Sequence, residues 1–124
     1  MALYVDGFLL AVSKNKLSTY KRIAKQAGKV WRKHGAIEYR ECVADEMMLK
    51  GASAFDKRAR AKKGEVVVFS WIVYRSKAAR NRTNAKVMKD PVITNMMKLM
   101  KDPKKRPFDD KRMSYAGFKV LVDA

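Results

Sequence analysis

Three acidic residues sit inside strand-like apolar runs: Asp6 within residues 3–12, and Glu38 and Glu41 within residues 37–44. An isolated buried charge is costly, so acids placed there must be paired or must line a cavity. A cavity that holds raised-pKa carboxyls beside an imidazole can do acid–base work on a small molecule. His34, Ser70 and Arg112 complete the polar set, and Trp31 and Trp71 fall near it in the arrangement inferred below. A structural reading stands beside the chemical one. In it, Asp6 and Glu41 bond to arginines or to backbone and hold an assembly together. His34 caps the last carbonyls of a helix that Gly35 ends, and both tryptophans pack in a core or interface. Other chemistries fit poorly. The chain has no Gly-rich phosphate loop, and one His with one Cys cannot build a zinc site. No metal and no cofactor is expected, and no residue is singled out as catalytic.

The second chemical signal is basic. There are 29 Lys and Arg against 12 Asp and Glu, a net charge of +17, which attracts polyanions. Two runs concentrate it: Lys57, Arg58, Arg60, Lys62 and Lys63, then Lys104, Lys105 and Arg106. Acting together, they would bind phosphates without choosing a sequence. Scattered, they would only keep the surface solvated. The most apolar run lacks the Gly-rich, base-stacking pattern of an RNA-reading strand. Three functions remain: a small-molecule binder or cofactor-free enzyme with a pocket between sheet and helices, a non-specific nucleic-acid binder, or an interaction protein without chemistry.

The elements that position these residues follow from periodicity. Glu65–Tyr74 is the central strand, β-branched and aromatic on both alternating faces. Residues 3–12 and 37–44 are further strands. Leu17, Tyr20, Ala24, Ala27, Trp31 and His34 recur at helical spacing, and Gly35 ends that helix. Residues 45–64 show no sustained period and read as a long connection. Ser76 caps a helix running to about residue 89. Asp90-Pro91 breaks it and starts another, whose stripe is Val92, Ile93, Met96, Met97 and Met100. Residues 111–122 are the last strand.

The order β-α-β-β-α-α-β is the split βαβ arrangement with its second helix broken. It predicts an α+β, ferredoxin-like single domain over residues 1–124. Four antiparallel strands lie in the order last, first, third, second, with helices on one face. The other face of the central strand is apolar, so a second copy is expected to cover it, giving a homodimer and a dimeric α/β barrel. No apolar run reaches the ~18 residues of a membrane span. Asp6 interrupts the first apolar stretch and no basic segment precedes it, which argues against a secretory signal. Cys42, the one cysteine, suits a reducing compartment as a small buried strand residue. A cytoplasmic location is expected.

Several longer segments carry a resemblance: Tyr-Val-Asp-Gly-Phe (4–8), Ala-Gly-Lys-Val-Trp (27–31) and His-Gly-Ala-Ile-Glu-Tyr-Arg-Glu-Cys-Val-Ala-Asp (34–45). Val-Val-Phe-Ser-Trp-Ile-Val-Tyr (67–74), Asn-Ala-Lys-Val-Met-Lys-Asp-Pro (84–91), Pro-Phe-Asp (107–109) and Lys-Arg-Met-Ser-Tyr-Ala-Gly-Phe (111–118) extend it over nearly the whole chain. In these the chain resembles the YbaA-like bacterial family of unknown function, within the dimeric α/β-barrel group. The resemblance implies that fold and a homodimer; it implies no activity. The heavy Lys/Arg load and Leu9-Leu10, where a proline is usual, depart from the family pattern.

Overall fold

A computed structural model describes residues 2–47 and 55–124. The elements are β1 (Tyr4–Ser13), α1 (Leu17–His34), β2 (Glu38–Val43), α2 (Phe55–Arg58), β3 (Glu65–Tyr74), α3 (Lys77–Val87), α4 (Pro91–Met100) and β4 (Ser114–Lys119). The four strands are antiparallel neighbours in the order β2-β3-β1-β4, with the two longest in the centre. This is the ferredoxin-like α+β architecture expected from the element order.

Local chemistry sets the boundaries. Gly35 adopts φ +132°, a conformation that side chains disfavour, and its N–H closes α1 on the Trp31 carbonyl. The Ser76 side chain accepts the Ala79 N–H and starts α3. The Asp90 side chain accepts the Val92 N–H, and Pro91 occupies the first turn of α4.

Three expectations are corrected. The last strand begins at Ser114, not at 111, because Asp109 accepts the Lys111 N–H and draws Asp110–Arg112 into a 3-10 turn. The 45–64 connection contains the helical turn α2; its Gly51 and Ser53 lie outside the described residues. On α4 only Ile93 is buried, while Val92 and Met97 face solvent. That helix packs mainly on α1, beside Val87 of α3, and not on the sheet, so it buries only a narrow stripe.

The core has two layers. Leu10, Val12 and Val68 meet Tyr20 and Ala24 between sheet and α1. Ala27 and Val30 of α1 meet Val87 and Ile93 of α3 and α4. Burying each of these larger aliphatic side chains stabilises the fold by about 1.5–3 kcal/mol.

Candidate functional site

Strand register decides which side chains meet. Across the sheet, Tyr115, Phe8, Ser70 and Glu41 form one row, and Gly117, Asp6, Ile72 and Tyr39 form the next. Leu10 and Val68 share this face and pack against α1, so both rows lie beneath the helices. Between them and α1 is a cavity of about 470 Å³, lined by Asp6, Ser70, Glu41, Trp31, Tyr20 and Tyr115 among others. The remaining wall is mainly apolar, with Phe8, Phe108 and three methionines, Met88, Met96 and Met113.

Glu41 is held from both sides. Tyr20 of α1 donates to Oε1 at 2.6 Å, and Tyr39 donates to Oε2 at 2.8 Å. Burial first, then the Glu41 charge, pushes both phenols well above their ordinary pKa. The phenols therefore stay protonated and act as donors, and bonds of this kind to a carboxylate are among the stronger ones. Helix α1 and strand β2 are tied together through this one side chain.

Asp6, only 1% exposed, has a different set of partners. Its Oδ1 accepts from the Tyr115 hydroxyl at 3.0 Å and from Arg80 Nη1 at 3.3 Å. The same guanidinium donates to the Tyr115 oxygen at 2.8 Å and lies 4.8 Å over the Tyr4 ring. Arg80 Nε is buried and has no partner among the described residues. Burial, then Asp6, pushes up the Tyr115 and Tyr74 phenols. Tyr74 and the Trp31 indole both donate to Asn84 Oδ1, at 3.3 and 3.1 Å.

The structure thus brings together Asp6, Glu41, Ser70 and Trp31, with Trp71 at the cavity's border, and sets His34, Glu38 and Arg112 apart. His34 Nε2 lies 3.0 Å from Asp90 Oδ2 and does not line the cavity. Its ring pairs with the residue that starts α4 and leaves the α1 carbonyls alone. That hydrogen bond, followed by the Val92 N–H, holds the Asp90 carboxyl below its usual range. Glu38 alternates to the opposite sheet face, where Arg40 binds it at 2.7 Å and lowers its pKa. Trp71 borders the cavity, yet by strand alternation its side chain belongs to that opposite face and packs near the Phe69 ring, away from Trp31. Arg112 forms a two-pronged pair with Glu65, at 2.9 and 2.6 Å, five residues along β3 from Ser70. The Arg112 bond is the first cause that keeps the Glu65 carboxyl low.

Sequence reasoning missed Tyr20, Tyr39, Arg80, Asn84 and Tyr115. Tyr39 had a readable signal, since it stands two residues from Glu41 on the same strand face. Among the described residues, no group of three or more His, Cys, Asp or Glu could hold a metal ion. No helix among them is long and apolar enough to cross a membrane.

The basic runs converge at one end of the sheet, where β1 finishes and β3 begins. Lys57, Arg58, Lys62, Lys63, Lys104 and Lys105 are exposed there, and Arg106 is half-buried near Asp109. Lys16 Nζ donates to the carbonyls of Lys104 and Arg106, at 2.9 and 3.0 Å. Arg60 donates to the Lys111 carbonyl at 3.0 Å, and Arg112 donates to the Arg60 carbonyl at 2.9 Å. The Lys14 N–H meets the Gly64 carbonyl and joins the two sides.

Comparison with solved structures agrees with the topology. A dimeric ferredoxin-like protein from an uncultured marine organism aligns with a TM-score of 0.61 over 100% of this chain and 92% of its own, at 12% identity. The Mycobacterium tuberculosis protein Rv0793 aligns with a TM-score of 0.54 over 99% of both chains, at 15% identity. At these identities the likeness concerns the fold. In sequence, the uncharacterized protein YbaA of Escherichia coli K12 is 38% identical over 120 residues, 97% of each chain. Residues 3–113 match the family described as "Protein of unknown function (DUF1428)", and the chain belongs to that family.

Proposed function

We propose that the protein binds a small molecule in the cavity between α1 and the sheet, and that it does so as a homodimer closed through the other sheet face. The observation that carries the first half is the wall of the cavity. Its lining is apolar and aromatic, and its few polar groups are two carboxylates fixed by phenols and a guanidinium. Largely preformed, apolar sites with a small number of oriented polar groups are the usual form of ligand pockets. Ser70, buried at the centre of the floor, stands between them. The carboxylates are engaged and their phenols stay protonated, so the site is equipped to orient a ligand, and no reaction is assigned to it.

The homodimer rests on the open face. Phe69 is 43% exposed and Phe118 is 56% exposed. With Val5, Leu9 and Trp71 they line an open apolar depression of about 520 Å³. A second copy would remove this surface from water, and the ferredoxin-like neighbour from an uncultured marine organism is described as dimeric.

The test is native mass spectrometry of protein purified from its own host. A retained mass is expected, and Ser70→Leu, which fills the floor, should release it. A cavity that carries nothing in repeated preparations would overturn the reading.

A second reading rests on the meeting of the two basic runs. It is weak, sequence-indifferent binding of nucleic acid, strong only at low salt and largely gone by about 0.2 M. Fluorescence anisotropy with unrelated DNA and RNA oligonucleotides tests it. Replacing Arg58, Lys62, Lys63 and Lys105 by Ala should weaken all of them alike, whereas tight binding of one sequence would refute it.

A further inference from the structure

A second, larger depression lies outside the cavity, along the edge of the molecule between α1 and β2. Its volume is about 920 Å³, and Leu17, Ala24, Gly28, Val43 and Val68 give it an apolar floor. Its helical wall is cationic. Lys21, Lys25, Lys29 and Arg32 all line it, and all are exposed. Their spacings of four, four and three residues place them in one row, about 16 Å long at the helical rise. Glu41 is the one carboxylate in the lining, and the phenols of Tyr20 and Tyr39 already bind it.

Groove and cavity share Tyr20, Ala24, Tyr39 and Glu41. The Tyr20–Glu41–Tyr39 bridge therefore stands between two adjoining compartments, one with a basic helical wall, the other with a mainly apolar and aromatic wall. One ligand shape matches both: an apolar body with an anionic head. We infer that the ligand is an amphipathic anion carrying a phosphate or carboxylate, whose head rests on the Lys21/Lys25/Lys29/Arg32 row and whose body passes the Tyr20–Glu41 partition into the cavity. This rests on the small-molecule reading above and adds the chemical class and the route to it. Charge complementarity selects the head, since four cations facing one groove favour an anion and disfavour a cation. The partition is made of hydrogen bonds between side chains, so it can open by side-chain rotation without moving the sheet.

The experiment compares three ligands with the same tail, each below its micelle concentration: decyl phosphate, decanol and decyltrimethylammonium. Isothermal titration should show decyl phosphate binding tightest and the cation weakest. The triple variant Lys25→Gln, Lys29→Gln, Arg32→Gln changes exposed residues only. It should weaken decyl phosphate by roughly tenfold and leave decanol unchanged, because exposed ion pairs contribute modestly and add up. High salt should erase the same preference. Tyr20→Phe, which keeps the ring and removes the helix side's hydrogen bond to Glu41, should speed association several-fold. Equal binding of all three ligands, unaltered in the triple variant, would overturn the anionic head and leave the cavity reading intact. A ligand retained from the host that proves cationic would do the same. Binding of an acidic peptide without binding of decyl phosphate would make the groove a peptide surface and refute the inference. Absence of binding together with an empty protein from the host would remove both readings at once.

Discussion

The two faces of the sheet use the same strands for opposite purposes. On the covered face, polar groups are placed among apolar ones and each acid is given partners: Asp6 has Arg80 and Tyr115, and Glu41 has Tyr20 and Tyr39. On the open face the imbalance is reversed, with Phe69, Trp71 and Phe118 standing where the described residues do not cover them fully. The first arrangement costs desolvation and fixes the direction of its polar groups; the second costs exposed apolar surface, which the proposed homodimer would cover. Alternation at a period of two residues lets a single strand serve both, so a substitution's effect depends on whether its position is odd or even.

The sharpest way to break this contrast is Asp6→Ala. It leaves the Arg80 guanidinium buried opposite no charge, and should cost about 3–5 kcal/mol, as breaking buried ion pairs does. Urea unfolding measures it, and a loss below about 1 kcal/mol would show that the covered face does not depend on the pair. Next comes the open face. Phe69→Lys combined with Phe118→Lys should leave unfolding of the isolated chain nearly unchanged. It should raise the dimer dissociation constant a hundredfold or more, as loss of central aromatic anchors does. Sedimentation equilibrium reads the mass, and a wild-type chain that stays at 14.2 kDa at high concentration would end the argument for pairing.

Two smaller effects calibrate the scale away from the sheet. Asp90→Asn weakens the contact to His34 and should lower stability at neutral pH by less than Asp6→Ala does. Asp90 is held below its ordinary value of 3.8, so its charged-state stabilisation is complete above that pH. It is lost as pH falls through the lower, folded value. The deficit of Asp90→Asn relative to wild type should therefore shrink in urea titrations below about pH 3.8, and a deficit constant down to pH 2 would refute the linkage. His34→Asn, which leaves the Gly35 cap intact, should cost about 1 kcal/mol or less.

What was legible in the sequence was mostly local. Gly35, Ser76 and Asp90-Pro91 punctuate the helices through their own backbone preferences, and the strand order followed from element order. Period-two alternation separated Ser70 from Trp71 but did not say which of them faced the helices. That depends on α1 packing over Leu10 and Val68, which are 58 residues apart in the chain. For the same reason Asp6 and Glu41 stood out as unusual while their partners did not. Arg80 lies on a helix with many exposed cations, and nothing local distinguishes it from Arg82. Arg112 looked equally suited to the pocket, but the turn started by Asp109 aims it at Glu65. The short helix α2 had no period to read because it is a single turn.

Gly28 carries a mechanical consequence. A Cβ there would come within 2.7 Å of the Tyr39 ring, so α1 meets β2 through backbone and aromatic ring, with no side chain between. Tyr20 lies two turns to one side of this point and Trp31 nearly one turn to the other. Of the contacts along α1 this one is the closest to backbone and the least able to yield, so a tilt of the helix would pivot here. Rocking of α1 about Gly28 would widen the Tyr20 end as it narrowed the Trp31 end, and a bulkier residue at 28 would raise the whole helix and remove the fulcrum.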